Sequence, residues 1–497
     1  MRPNAFSAIL ASFPVPRPDD RIAIVALVTV QQLFETSTST FLFPDGSICS
    51  CAEVAERGVA LARQWRRSGL GPGDRVAIRM PNSLRYLESL AACAIGRFVA
   101  VSVNTRFSND EARTLIERSG AIRVVDATAE FAIHADLRPI EFDGPEPDDP
   151  FVVFTTSGTT SKPKMVLHTQ RSIAEHATDA AKAFGYRSDD VALMSMPFCG
   201  TFGLSNLTSS LAAGATIVVE DHFDVRETAA RIVDDGITVA NGSDDMFHRL
   251  LLAGADISSL RLAGYARFNS SLEGIVERSE RAGALLTGLY GMSEVQALFA
   301  IRNPSGDAPS RSFAGGTMVS GRAQFRIVDG ELWLKGPSLF SGYLAEGGDS
   351  LDTTLTARAF SDGWFRTGDV AEGPATSDEQ LRTFTYVTRM GDALRLGGFL
   401  VSPADVEQKI LEVPGVEQAL VVAVDLPTGA RPVAFVVAPG GVDESAVISH
   451  CASKLAKYKV PVRVLLIEEF PTTPSANGNK IQNVKLRELA RAALGLD

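Results

Sequence analysis

Between Ala52 and Val125 the chain alternates helical and extended periodicity, and that alternation leaves few folds open to it. Ala52–Arg67 carries apolar residues at helical spacing and stops near Gly69. Gly71–Met80 is a turn running into a strand whose Val76, Ile78 and Met80 share one face. Leu84–Ile95 reads as a largely buried helix and Phe98–Val103 as a second strand. Glu111–Ser119 reads as a helix with Ser108 and Asp110 as cap candidates, and Ile122–Val125 as a third strand. Strands joined through helices predict a parallel or mixed sheet with helices on its faces. Strand candidates continue at Val191–Met196, Ala215–Val219, Ile237–Ala240 and Ala284–Gly288, with an apolar helix around Leu204–Ala213.

From Gly321 the texture changes. Arg326–Val328 and Glu331–Lys335 flank Asp329-Gly330, the signal of a two-residue hairpin turn, and short strands continue to about Arg389. That stretch predicts a small β-rich subdomain. Beyond Gly391 come a helix at Pro403–Leu411, strands at Gln418–Val424 and Val433–Ala438, a helix at Glu444–Lys457 and a strand at Arg463–Ile467. This is the pattern of a separate domain of ordinary size. A 497-residue chain exceeds one ordinary core in any case. The expected division is 1–390 and 391–497.

The charge balance excludes some partners. The net charge is −11 with no basic block, which argues against nucleic acid and against an anionic membrane surface. The apolar run Ile22–Val30 is too short for a membrane span. Five scattered cysteines suit a reducing cytoplasm rather than a disulfide framework, and six dispersed histidines give no metal-ligand spacing.

Several stretches are able to carry chemistry. Thr155–Lys164 reads TTSGTTSKPK, rich in hydroxyls, with one glycine and two lysines. Hydroxyls and backbone N–H groups can ring a polyphosphate while lysine adds point charge. The spacing differs from G-x-x-x-x-G-K-[ST], and by composition alone a solvated surface loop serves equally well. Tyr290–Glu294 (YGMSE) offers an aromatic face and a carboxylate close together, suited to a base and to magnesium on phosphates. Gly363–Asp369 (GWFRTGD) ends in a carboxylate able to accept two ribose hydroxyls. Taken singly, these are equally a packed strand end and a β-turn. Arg389–Phe399 (RMGDALRLGGF) lies at the domain junction, and Pro471–Ile481 (PTTPSANGNKI) places Lys480 after a small-residue loop.

In that order the five stretches resemble the adenylate-forming enzyme superfamily: acyl- and aryl-CoA synthetases, peptide-synthetase adenylation domains and beetle luciferases. GDRVAIRMPNSLRY and VSVNTRFSNDEARTLIERSGA resemble its N-terminal core, and the likeness runs from about Phe41 to Leu489. It implies an α/β fold with two helix-flanked mixed sheets and the β-rich subdomain in a large N-terminal domain, followed by a small mobile α+β domain. It also implies an acid:CoA ligase that forms an acyl-adenylate from ATP with magnesium, releases pyrophosphate, rotates its C-terminal domain and passes the acyl group to coenzyme A. A carrier-protein acceptor and a non-catalytic nucleotide-binding homologue are the alternatives, and the chain is expected as a monomer or homodimer.

By the same resemblance Thr156, Ser157, Gly158, Thr159, Thr160 and Lys164 handle the β- and γ-phosphates. Gly264, Tyr265 and Ala266 line the adenine, Tyr290 stacks on it and Gly291 adjoins it. Ser293 is the hydroxyl near the α-phosphate and Glu294 the magnesium ligand. Asp369 takes the ribose, Arg389 adds a nucleotide contact, and Lys480 bridges carboxylate and α-phosphate. Gly397, Gly398 and Phe399 face the thiol tunnel, Gly391 and Asp392 form the hinge, and Lys454, Lys457 or Lys459 meet the CoA phosphates.

The acid pocket falls on Phe198, Cys199, Gly200, Phe202 and Gly291. Gly200 stands where many relatives have a gating histidine, which leaves that task to Phe198 or Phe202. Ser161 and Met165 replace usual glycines, so an altered phosphate grip is expected. Gly291 replaces the tryptophan of acetate-specific relatives, which points to a larger acid. PFCG supplies no carboxylate for an α-ammonium group, and leaving one buried and unpaired is costly. The expected substrate is a fatty, aryl or alicyclic acid.

Overall fold

The computed structural model describes residues 28–128, 142–156, 163–268, 272, 274–374, 381–390, 394–396, 399–401, 403–426, 429–475 and 478–496. The opening alternation folds as its periodicity predicts. Arg75–Arg79 pairs in parallel with Val99–Ser102 on one side and Arg123–Asp126 on the other. Helices Leu84–Gly96 and Asn109–Ser119 make the crossovers. Ser108 caps the second of these in a reciprocal box with Glu111. Helix Leu84–Gly96 packs against Cys51–Arg67 so closely that a Cβ on Gly58 would lie 2.6 Å from the Ala91 Cβ.

The sheet continues in parallel to Pro150–Thr156, then turns antiparallel into Lys164–Thr169 and Gly342–Tyr343. A second, larger sheet runs through the parallel strands Thr216–Val219, Val191–Met194, Val239–Ser243, Leu262–Ala266 and Leu286–Met292. The last of these changes partner along its length. Its first half pairs in parallel with Leu262–Ala266, and Leu289–Met292 pairs antiparallel with Gln296–Ile301. Through that strand the β-rich stretch joins the same hydrogen-bonded sheet, ending in the hairpin Gln324–Val328 and Glu331–Lys335. Asp329 and Gly330 both have positive φ there, as a type I′ turn requires.

The C-terminal part has its own apolar clusters. Strands Gln418–Leu426, Gly429–Val437 and Arg463–Leu466 form a three-stranded sheet. Ala419 and Val421 join Val406, Ile410, Val447 and Cys451 on one face, under helices Pro403–Leu411 and Glu444–Lys454. Leu420, Val422 and Phe435 meet Leu486 and Ala490 of helix Asn483–Ala493 on the other. The alternation of neighbouring residues between the faces is that of any strand. All five cysteines are free and buried, and no helix of the described residues is long and apolar enough to cross a membrane.

Candidate active site

The carboxyl ends of Val239–Ser243, Leu262–Ala266 and Leu286–Met292 lie side by side, and in such sheets ligands gather beyond strand carboxyl ends. Tyr290 leaves this edge with its ring among Phe384, Tyr386 and Phe299, at centroid distances of 5.2, 5.8 and 6.5 Å. Its hydroxyl donates to Asp369 Oδ2 at 2.6 Å, and burial first, then that carboxylate, pushes the phenol pKa well up.

Strands Trp364–Glu372 and Thr383–Arg389 pair Asp369 directly opposite Arg389, whose Nη1 lies 2.9 Å from Asp369 Oδ1. Thr367 braces both residues: its hydroxyl accepts from the Asp369 N–H at 3.0 Å, and its carbonyl accepts from Arg389 at 2.9 Å. Three residues singled out on separate stretches thus share one cluster, with Tyr386 a member that sequence reasoning missed. A carboxylate has about four acceptor positions, so Asp369 can hold these partners and still take a hydroxyl.

Glu294 is buried, and burial raises its carboxyl pKa. The Tyr343 hydroxyl donates to its Oε1 at 3.0 Å, and the Lys164 ammonium sits 4.7 Å from the centroid of the same tyrosine ring. Tyr343 was not among the expected site residues. Among the described residues no group of three His, Cys, Asp or Glu side chains is placed to hold a metal. One carboxylate fits magnesium that arrives on a nucleotide, since this ion takes one or two protein carboxylates and completes its shell with phosphate and water. Glu294 would be its protein ligand.

Thr156 faces Lys164 across the hairpin, while Ser157, Gly158, Thr159, Thr160 and Ser161 lie outside the described residues. Strand alternation turns the Met165 side chain into the apolar cluster of Ala77, Val101, Val153 and Leu344.

Two buried histidines fix the turn that carries Ser293 and Glu294. His168 Nε2 donates to the Ser293 carbonyl at 2.7 Å, and His176 Nε2 to the Ala297 carbonyl at 2.6 Å. Gln296, at φ +68°, returns a bond to the Ser172 carbonyl at 2.6 Å. Burial depresses both imidazoles to about 4, so they are neutral donors. The Ser293 hydroxyl accepts from Thr201 at 3.3 Å. No sequence signal marked these histidines beyond their place in and after the strand leaving the hydroxyl-rich loop.

Gly291 has a packing reason. A Cβ there would lie 2.5 Å from Ala297 Cα, so the close approach of the two strands requires glycine, and its presence is no sign of an opened pocket. Gly264 is similarly confined, its N–H donating to Asn241 Oδ1 at 2.9 Å. Tyr265 turns its ring into the core and its hydroxyl onto the Ser312 carbonyl, and Ala266 ends the strand half-buried. Only the backbone of Tyr265 is therefore left for an adenine.

In the acid-pocket stretch, Asn82 accepts from the Phe198 N–H at 2.7 Å and donates to the carbonyls of Met194 and Met196. Phe198 packs on Tyr86, and with Cys199 and Phe202 it belongs to the main core. Both phenylalanines are nearly inaccessible, which does not suit a gate. Burial holds the Cys199 thiol at about 11, unreactive at neutral pH. Gly200 caps helix Thr201–Ala213 without a side-chain bond.

The C-terminal candidates belong to the part with its own apolar clusters. Lys480 lies in the strand Gly478–Ile481, opposite Thr473. Phe399 pairs with Leu396, and Gly391, Asp392, Gly397 and Gly398 fall outside the described residues. Lys454 and Lys457 are exposed, and Lys459 is held by Asp405 at 2.9 Å.

The aromatic cluster around Tyr290, the braced Asp369–Arg389 pair, and Lys164 and Glu294 meeting on Tyr343 draw together strands of both sheets. The sequence profile of AMP-binding enzymes matches residues 17–344, and that of their C-terminal domain matches residues 405–477. The chain belongs to the AMP-binding enzyme family. It is similar to a 2-succinylbenzoate–CoA ligase of Bacillus licheniformis, 30% identical over 86% of this chain and 91% of that protein. It is equally similar to a Mycobacterium tuberculosis CoA ligase named for a methyl-dioxo-octahydro-indenyl propanoyl group, 30% identical over 85% of this chain and 90% of that one. Among solved structures, ATP-bound MatB from Rhodopseudomonas palustris superposes with a TM-score of 0.81 at 21% identity, covering 93% of this chain and 99% of that one.

Proposed function

We propose that this protein is an ATP-dependent acid:CoA ligase of the cytoplasm. It joins a carboxylic acid to AMP with release of pyrophosphate, then passes the acyl group to coenzyme A. The observation that carries this reading is the convergence of Tyr290, Asp369, Arg389 and Glu294 of the larger sheet and its turn with Lys164 of the first sheet, in a member of this family. Asp369 and Arg389 hold the ribose side of the nucleotide, and Lys164 neutralises charge at its polyphosphate end. Magnesium on Glu294 would neutralise further charge on the phosphates. Lys480 brings the acid's carboxylate to the α-phosphate, where lowering the repulsion of two anions is the main task.

The divide at 390/391 makes residues 391–497 the rotating part, a reading supported by their separate apolar clusters. The acid lacks an α-amino group, because the buried stretch Phe198–Gly200 offers no carboxylate to an ammonium. An acid larger than acetate, aryl, alicyclic or fatty, agrees with the bulky acids in the relatives' names.

The test is acid-dependent exchange of labelled pyrophosphate into ATP across a panel of aryl, alicyclic, fatty and amino acids. Exchange with a ring-bearing or fatty acid is expected, followed by thioester formation when CoA is added. Exchange with amino acids alone, or acylation of a carrier protein but never of CoA, overturns this reading. Charge reversal at Lys454 and Lys457 is expected to raise the KM for CoA about tenfold, the effect of lost phosphate contacts, with exchange unaltered. An unchanged KM removes those lysines from the CoA site.

A further inference from the structure

Residues 340–344 are built into the site from two sides. On one side they extend the first sheet: Ser341 N–H donates to the Leu167 carbonyl and Leu344 N–H to the Met165 carbonyl, both at 2.8 Å. Gly342 and Tyr343 pair with Leu167 and Val166, next to Lys164. On the other side Phe340 N–H donates to the Glu294 carbonyl at 2.8 Å, and the Tyr343 hydroxyl to the Glu294 carboxylate at 3.0 Å. One short segment therefore ties the strand leaving the hydroxyl-rich loop to the turn of Ser293 and Glu294. Its tyrosine touches a charged group from each.

We propose that Tyr343 is a positioning residue that keeps Lys164 and Glu294 apart and aimed at the polyphosphate end of a nucleotide. This rests on the reading of the site as one that adenylates an acid. A lysine and a glutamate this near in a poorly solvated place attract each other strongly, and a direct ion pair would occupy both. The buried Tyr343 side chain touches both, Lys164 through its ring and Glu294 through its hydroxyl, and is backed by Phe340 at a centroid distance of 4.9 Å. The ammonium rests on the ring face, an attraction that commits it to no acceptor atom and lets it turn N–H donors toward phosphate. The hydroxyl takes Glu294 Oε1 and fixes the carboxylate so that its other oxygen keeps a single direction. Ring and hydroxyl thus do separable work on two charges.

The separation makes the proposal testable without knowing the acid. ATP binding is measured by calorimetry with and without magnesium on the wild type, Y343F, Y343L, E294Q and the double variant E294Q/Y343F. Y343F keeps the ring and loses the hydroxyl. It is expected to reduce the gain in ATP affinity that magnesium confers by about tenfold, the size of one hydrogen bond to a charged group. Its affinity for ATP without magnesium is expected to stay within about twofold of the wild type.

Y343L also frees the ammonium to meet Glu294, and is expected to weaken ATP about tenfold in the absence of magnesium as well. If the hydroxyl acts through Glu294, E294Q and E294Q/Y343F show the same magnesium gain. Because the glutamine side chain is neutral, that pair carries the test even if Y343F alone is too unstable to purify. An unchanged magnesium gain in Y343F, or equal losses when Y343F is added to the wild type and to E294Q, overturns the proposal. Failure to find any acid that supports exchange would count against ligase activity and leave these binding results standing.

Discussion

Lys480→Ala is expected to lower acid-dependent pyrophosphate exchange by about 10²–10³-fold, the usual loss when one preorganised charge partner of a transition state is removed. Thiolysis of a separately supplied acyl-adenylate by CoA should stay within about threefold of the wild type, because by then no carboxylate approaches phosphorus. This split follows from where the lysine sits in the chain. Strands Thr472–Ser475 and Gly478–Ile481 form a hairpin of the C-terminal part, whose apolar clusters are separate from those around Tyr290 and Asp369. A residue that reaches the nucleotide only in one arrangement of the two parts serves only the half-reaction run in that arrangement. Stopped-flow measurement of thioester from synthetic acyl-AMP, beside exchange of labelled pyrophosphate, checks both halves. Full exchange in the alanine variant removes Lys480 from the chemistry. Equal loss of both half-reactions makes it a structural residue.

Much of the molecule was legible because its signals are local. The cap at Ser108, the Asp329-Gly330 turn and the strand at Gln418–Val424 are each set by neighbours in sequence, and each is found in place, while Asp110, the other cap candidate, lies in the helix's first turn. The strand Leu262–Ala266 (LAGYA) was invisible. Its composition favours no strand, and it is extended because two parallel neighbours pair with it along its length. Gln296–Ile301 escaped for a different reason: Gln296 and Leu298 sit at positive φ, which breaks simple alternation. Of the residues the family order singled out, Tyr290, Asp369 and Arg389 share one cluster, and Lys164 and Glu294 both meet Tyr343. What holds them was not legible. Tyr343, Tyr386, Asn82, His168 and His176 act across long sequence separations, and nothing beside them in the chain marks their role. Met165, a departure from the family pattern, packs by strand alternation in an apolar cluster.

Those two histidines set the second large expected effect. Acidification from pH 7 to pH 4 is expected to destabilise the N-terminal part by on the order of 5 kcal/mol through His168 and His176. Each imidazole is held near 4 by burial, against an ordinary value of 6.5. The unfolded chain therefore takes up protons between pH 6.5 and 4 that the folded chain refuses. Stability is fully present above 6.5, falls with pH through that window, and loses this contribution as pH passes below 4. One pKa unit corresponds to about 1.4 kcal/mol, so each residue carries about 3 kcal/mol, a large share of ordinary domain stability. Asp179, near His176, counteracts part of the shift.

Protonation need not wait for global unfolding. The bonds to the carbonyls of the turn that bears Ser293 and Glu294 favour the charged rings, so what protonation costs is the burial of two charges against that turn. Replacing both with glutamine keeps an amide N–H for the carbonyls and removes the titration. The H168Q/H176Q protein should unfold in urea at a midpoint that changes little between pH 6.5 and 4.5, where that of the wild type drops steeply. Parallel midpoint-against-pH curves for the two proteins would show that the acid sensitivity arises elsewhere.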